Sequence, residues 1–293
     1  MCEWYSLRTA EYGSVMPHIT VGRENTADIR IHYEDRGSGA PVVLVHGYLA
    51  DGRSWEKQEM TLLANGHRVI SYDRRGGGLS SRPSTGYDYD TLAADLNHLL
   101  EELDLSDVVL IGCCSGTGEI IRYLRSYGLR RVRAAALLAP LSPSLPRYVG
   151  IRDGADLGIL DVLIAELTVD RPAAVKSYLD LHYNIDLLGG DRVTDQAWQN
   201  SFHTALQVSA AAALGCALAL REDFRADLPW INCPVLVVQG DQDRLLSLEA
   251  AGEPLAHALP DADLVVIPGG PHAITWTHAA EVDAALADFL RAL

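Results

Sequence analysis

The chain has 293 residues, 48% of them hydrophobic and 22% charged, with a formal net charge of −15. That is the composition of a soluble globular protein with room for a large core, and its acidity sets it against nucleic acid and anionic membranes as partners, leaving a small-molecule substrate. Five cysteines, an odd number without C-x-x-C or Cys/His zinc spacing, leave no expected metal site and fit a reducing cytoplasm better than secretion.

Residues 1–17 show no period and read as a leader arm, without the basic start and apolar core of a signal peptide. Ile29, Ile31 and Tyr33 alternate with Arg30, His32 and Glu34, the pattern of a half-buried strand. After a turn at 35–39, residues 41–47 form the continuous apolar run of a strand buried on both faces. Residues 52–65 read as a helix stopped by Asn65-Gly66, 69–73 as a strand, and 74–78 as a loop rich in Arg and Gly. A helix over 89–103 carries Leu92, Leu96, Leu99, Leu100 and Leu103 on one face. The apolar run 108–112 ends in glycines and leads into a helix over 115–127, and 134–138 is the next strand. Then the alternation stops. Residues 141–229 read as loops and helices, and their longest apolar run, 208–220, is too short to span a bilayer. Strand 235–238, helix 248–259, strand 264–267 and a helix over 277–293 resume it. Repeated strand–helix units imply an α/β fold: a mostly parallel central sheet with helices on both faces. Residues 18–140 and 230–293 form its core domain, and 141–229 a helical cap inserted over the strand ends.

The register Gly112-x-Cys114-x-Gly116 is that of a nucleophile elbow, a sharp strand-to-helix turn whose flanking glycines avoid the crossing strand and helix. Serine is the usual residue at its centre; here it is Cys114, and Ser115 comes one place late. Ser115 as nucleophile would misplace both glycines. A retired scaffold is the other bland reading, but an acid and a base follow in the chain order the turn requires. Asp243 follows one strand and is the expected acid, with Asp241 its rival nearer the strand end. His272 follows the last strand and is the expected base. The carboxylate would hold the imidazole in one tautomer, and the helix N-terminus would lower the Cys114 thiol pKa. Backbone N–H groups of Tyr48 and Ser115 are the expected oxyanion donors, each worth roughly 3 kcal/mol in the transition state.

His46-Gly47-Tyr48, Ser54-Trp55-Glu56, Tyr72-Asp73-Arg74-Arg75-Gly76, Gly86-Tyr87-Asp88-Tyr89-Asp90, Gly116-Thr117-Gly118-Glu119, the run 240–244 and Pro271-His272 together resemble the cofactor-free haloperoxidase/esterase group of the α/β-hydrolase superfamily, over residues 17–293. The resemblance implies the α/β-hydrolase fold, an α-helical cap, a Ser-His-Asp type triad, and no metal or organic cofactor. It implies esterase, lactonase or perhydrolase activity, with relatives in natural-product pathways. The group's spacing favours Asp243 over Asp241. The chain departs from the group at Cys114, which aligns with its serine. It departs again at Leu49, where haloperoxidase-type members carry proline. The second departure, with the sensitivity of a thiol to peroxide, argues against perhydrolase chemistry.

Leu49, Cys113, Tyr178, His182 and Trp276 are candidates for the substrate pocket, as are Tyr183 and His203. Tyr178 and His182 share a helical face, although packing within the cap accounts for them equally well. His46 reads as a brace for the oxyanion loop, Arg74 and Arg75 as salt-bridge partners, Trp55 and Trp230 as core, and His98 and His278 as solvated or packed. The expected activity is acyl cleavage or transfer on a small or medium ester, thioester or lactone. A Cys/His lyase or a cyclase in a biosynthetic pathway is the first alternative. A non-catalytic ligand-binding protein is the second, and a homo-oligomer stays open.

Overall fold

In the computed structural model the described residues are 16–143 and 157–293. The expected leader arm therefore lies outside them except for its last two residues, as does the stretch 144–156 of the expected cap. Eight strands form one sheet among the described residues: β1 (His18–Glu24), β2 (Ala27–Gly37), β3 (Pro41–Val45), β4 (Arg68–Tyr72), β5 (Val108–Cys113), β6 (Val132–Leu138), β7 (Val235–Gly240) and β8 (Ala262–Ile267). Their spatial order is β1-β2-β4-β3-β5-β6-β7-β8. β2 runs antiparallel to both β1 and β4, and every pairing from β4 to β8 is parallel.

Before the insertion come α1 (Glu56–Ala64), α2 (Tyr89–Glu102) and α3 (Ser115–Tyr127). The insertion between β6 and β7 holds α4 (Leu157–Val169), α5 (Arg171–Tyr183), α6 (Ile185–Leu188), α7 (Asp195–Gln207) and α8 (Ala210–Ala219). After it come α9 (Gly252–Ala258), α10 (Ile274–Thr277) and α11 (Ala279–Ala292). The central strands are buried on both faces because their side chains alternate between two cores. Val42 and Leu44 of β3 join the core that includes α11 and residues of the insertion, whereas Val43 and Val45 join the core under α2 and α3. The leucine stripe of α2 accounts for its side of that packing, with Leu92, Leu96, Leu99 and Leu100 all buried.

One local expectation is corrected, and two elements went unread. β1 has no clean alternation, since only Ile19 in it is buried and its register slips between Thr20 and Gly22, so it carried little periodic signal. The helix expected over 248–259 begins only at Gly252. Ahead of it the Ser247 carbonyl accepts from both Ala250 and Ala251 N–H, which makes a turn. The helix expected over 277–293 is α11, and the short α10 ahead of it went unread; His278 between them lies outside the helical region (φ −125°, ψ 41°). No single helix among the described residues is long and apolar enough to cross a membrane. The loops leaving β3, β5, β7 and β8 at their C-terminal ends converge beneath the inserted helices, where open parallel sheets place their ligand sites.

Candidate active site

Cys114 sits between β5 and α3 at φ 52°, ψ −122°, a conformation that L-residues rarely adopt and that costs about 1–3 kcal/mol. The turn closes because the flanking residues have no side chains. A Cβ at Gly116 would lie 2.2 Å from the Val45 carbonyl oxygen, and one at Gly112 would lie 2.7 Å from Ile120 Cδ1. These clearances fix Cys114, not Ser115, at the apex. The Ser115 hydroxyl instead accepts from Arg74 Nη2 at 2.9 Å.

His272 faces Cys114 from the loop after β8. Its Nδ1–H donates to Asp243 Oδ2 at 2.7 Å, and both side chains are buried. Asp243 Oδ1 accepts from the backbone N–H groups of Leu245 and Leu246, each at 2.9 Å, which holds the carboxylate in place. The rival Asp241 turns away, accepting from Gly269 N–H at 2.7 Å. Burial pushes the Cys114 thiol up, but the charge of His272 opposes it first and the backbone N–H groups of Tyr48 and Ser115 oppose it as well, so the thiol lies below its usual value. Burial likewise opposes the charge on His272, yet Asp243 first, and Cys114 second, hold the imidazole well above its usual range. The two directions agree: each group favours the charged form of the other.

The donor arm at Tyr48 is braced from below. Arg74 N–H donates to His46 Nε2 at 3.0 Å, and His46 Nδ1 donates to the Gly47 carbonyl at 2.9 Å. Burial, and then the Arg74 charge, push His46 down to about 4, so the ring stays neutral as this pattern requires. From above, the Tyr48 hydroxyl donates to the Ala213 carbonyl in α8 at 2.7 Å. Leu49 has φ 55°, a value closed to proline, whose φ is fixed near −65°. The loop would have to be rebuilt to accept the proline that haloperoxidase-type members carry.

Leu49, Cys113, Tyr178, His182 and Trp276 all line one cleft with Cys114, of about 90 Å³. Its roof is a ladder of rings. Tyr48 meets Tyr178 edge-on at 5.4 Å, Tyr178 stacks on His182 at 5.5 Å, and His182 meets His272 edge-on at 5.3 Å. Tyr178 and Cys114 thus face the same cleft. Tyr183 also lines the cleft, whereas His203 is exposed on α7. Trp55 is core as expected, but Trp230 is 61% exposed. His98 is exposed and His278 packed. Arg75 forms a two-bond pair with Asp95 of α2 at 2.6 and 2.7 Å. Arg74 faces Glu119 of α3 at 3.4 Å, and Glu119 also accepts from the Tyr72 hydroxyl. Sequence reasoning did not anticipate Thr275, Asn200 and Thr204 in the cleft, nor Asn184 beside it. Only Asn184 carried a signal, as an asparagine at a helix end.

Residues 40–279 match the α/β hydrolase fold family. A Synechocystis protein named as a candidate non-heme chloroperoxidase is 47% identical over 94% of this chain and 100% of its own length. The crystal structure of a bromoperoxidase from Bacillus anthracis is 37% identical and superposes with a TM-score of 0.89, covering 94% of this chain and 99% of that one. An esterase from Exiguobacterium antarcticum superposes at 0.84 with 29% identity, covering 90% and 96%. With the elbow, the sheet order and these relatives in agreement, the chain belongs to the α/β-hydrolase fold family and is an enzyme of its non-heme haloperoxidase and esterase group.

Proposed function

We propose that this enzyme cleaves or transfers the acyl group of a small or medium ester, thioester or lactone through a Cys114–His272–Asp243 triad, without a cofactor. What supports the reading is the buried His272–Asp243 pair, joined at 2.7 Å, together with Cys114 at the apex of the elbow, where His272 and the backbone N–H groups of Tyr48 and Ser115 lower its thiol pKa. The Cys114 thiolate attacks the carbonyl carbon, and the carbonyl electron pair moves onto oxygen, where the two N–H groups hold it. Collapse expels the alkoxide or thiolate, which takes the proton from His272, and leaves a thioester on Cys114. His272 then removes a proton from water, whose oxygen attacks the thioester, and the acid leaves as Cys114 regains its starting state. If an internal hydroxyl or amine replaces water, the same steps give a cyclised product, the outcome a biosynthetic setting would favour.

The test is turnover of an ester panel by Cys114→Ala, with mass spectrometry of the wild type. Loss of about a thousandfold or more in kcat/KM is expected, together with an acyl adduct on Cys114 when a slow substrate is used. Full activity in the variant would overturn the reading. Label from heavy-oxygen water in the product acid is expected. An unsaturated, unlabelled product would instead reveal elimination.

A further inference from the structure

The end of α5 touches the loops of the acid and the base. Tyr178 lines the cleft that also holds Cys114, and the His182 ring lies against that of His272. The His182 carbonyl accepts from Ala273 N–H, next to His272, at 2.9 Å. Asn184, which joins α5 to α6, donates from Nδ2 to the carbonyl of Gln242, next to Asp243, at 2.8 Å. Two bonds from one helix end thus hold the peptide units beside the acid and the base.

We propose that the end of α5 clamps the acid and base loops to each other, and that Asn184 is the positioning residue that keeps the Asp243 carboxylate aligned on His272. This rests on the triad reading above. Asn184 is in the left-handed region (φ 49°, ψ 51°) and 1% exposed. Glycine suits that backbone best, so the conformation alone does not call for asparagine; the bond to Gln242 does. A buried amide is retained where it meets a partner, and this one meets the backbone of the acid loop. Nearby, Arg244 and Asp186 pair at 2.8 Å across the same boundary, but in solvent, where such pairs are worth little. The clamp therefore works through Asn184 and the His182 carbonyl.

The experiment compares wild type, Asn184→Gly, Asn184→Asp and Arg244→Ala. It reads turnover of p-nitrophenyl acetate, thermal unfolding, and the pH dependence of iodoacetamide alkylation at Cys114, followed by tandem mass spectrometry. Asn184→Gly keeps the backbone conformation and removes the donor. It is expected to lower kcat about tenfold with little change in KM, and to move the Cys114 alkylation midpoint to higher pH. Asn184→Asp also tolerates this backbone and lacks the donor, and is expected to show both changes even if the glycine variant folds poorly. Arg244→Ala is expected to match wild type. Unchanged kcat and midpoint in both Asn184 variants would overturn the clamp, as would an equal loss in Arg244→Ala. A wild-type midpoint no lower than that of free cysteine would instead overturn the triad reading, and the clamp with it.

Discussion

Cys114 is held between opposing influences: burial favours its thiol, while His272 and two backbone N–H groups favour its thiolate, and the second set wins. Cys216 and Cys233 lack that help. Burial pushes Cys216 and Cys233 up to about 11 each, so at pH 7 roughly one part in ten thousand of either is thiolate. Iodoacetamide at pH 7 is therefore expected to alkylate Cys114 well before Cys216 or Cys233, with the rate falling as pH drops and the thiolate is protonated. Peptide mapping measures this, and equal labelling would count against an activated thiol. Ser115→Ala keeps the backbone donor and loses only the bond from Arg74, so its kcat/KM is expected to fall far less than that of Cys114→Ala. A loss as large as for Cys114→Ala would return Ser115 as nucleophile. Asp243→Asn changes which imidazole nitrogen carries the proton, and about a ten-thousandfold loss in kcat is expected, with unfolding temperature little altered.

The elbow places the Cys114 sulfur by geometry that a single methyl group would break. Gly116→Ala sets a Cβ against the Val45 carbonyl oxygen, and neither backbone can yield without disturbing β3 or α3. A loss of about 3 kcal/mol or more in unfolding free energy is expected by urea titration; a neutral result would show that the turn can relax. Strands β3, β5 and β7 and the leucine face of α2 were legible in the sequence because burial on two faces, or on one helical stripe, leaves an unambiguous pattern. β1 was not, since an edge strand with one buried residue and a register slip offers no such pattern. The short α10 was not legible either, because it spans only four residues before His278 leaves helical geometry.

Across the whole molecule, a buried polar network unites the two donor arms. Arg74 reaches Ser115 with its guanidinium and His46 with its backbone N–H, and faces Glu119, itself bonded by Tyr72. Burial raises the Glu119 carboxyl from 4.5 to about 7, only partly countered by Arg74 and Tyr72. Its proton is thus held more tightly in the folded than in the unfolded state. The stability it contributes is complete below pH 4.5 and is lost as pH rises through about 7, an effect of about 3 kcal/mol. Glu119→Gln, which mimics the protonated carboxyl, is expected to remove that decline, to resemble wild type below pH 4.5 and to be more stable than wild type by about 3 kcal/mol above pH 7. Denaturation of both proteins at pH 5 and pH 8 measures the two effects, and parallel pH profiles would overturn the assignment.

The sequence by itself determined the parallel strands, the run of helices after β6, the glycine-flanked turn at Cys114 and the chain order of Cys114, the two aspartates and His272, because each is a local pattern of apolar period, glycine spacing or residue type after a strand. Only the tertiary structure decided which of Asp241 and Asp243 meets His272 and what Ser115 bonds. It also decided that Leu49 turns through a backbone closed to proline, and that Asn184 reaches the acid loop 58 residues away. The physical reason is common to all of these. A hydrogen bond needs its partners within about 3 Å, and residues distant in the chain reach that separation only when the whole fold has closed.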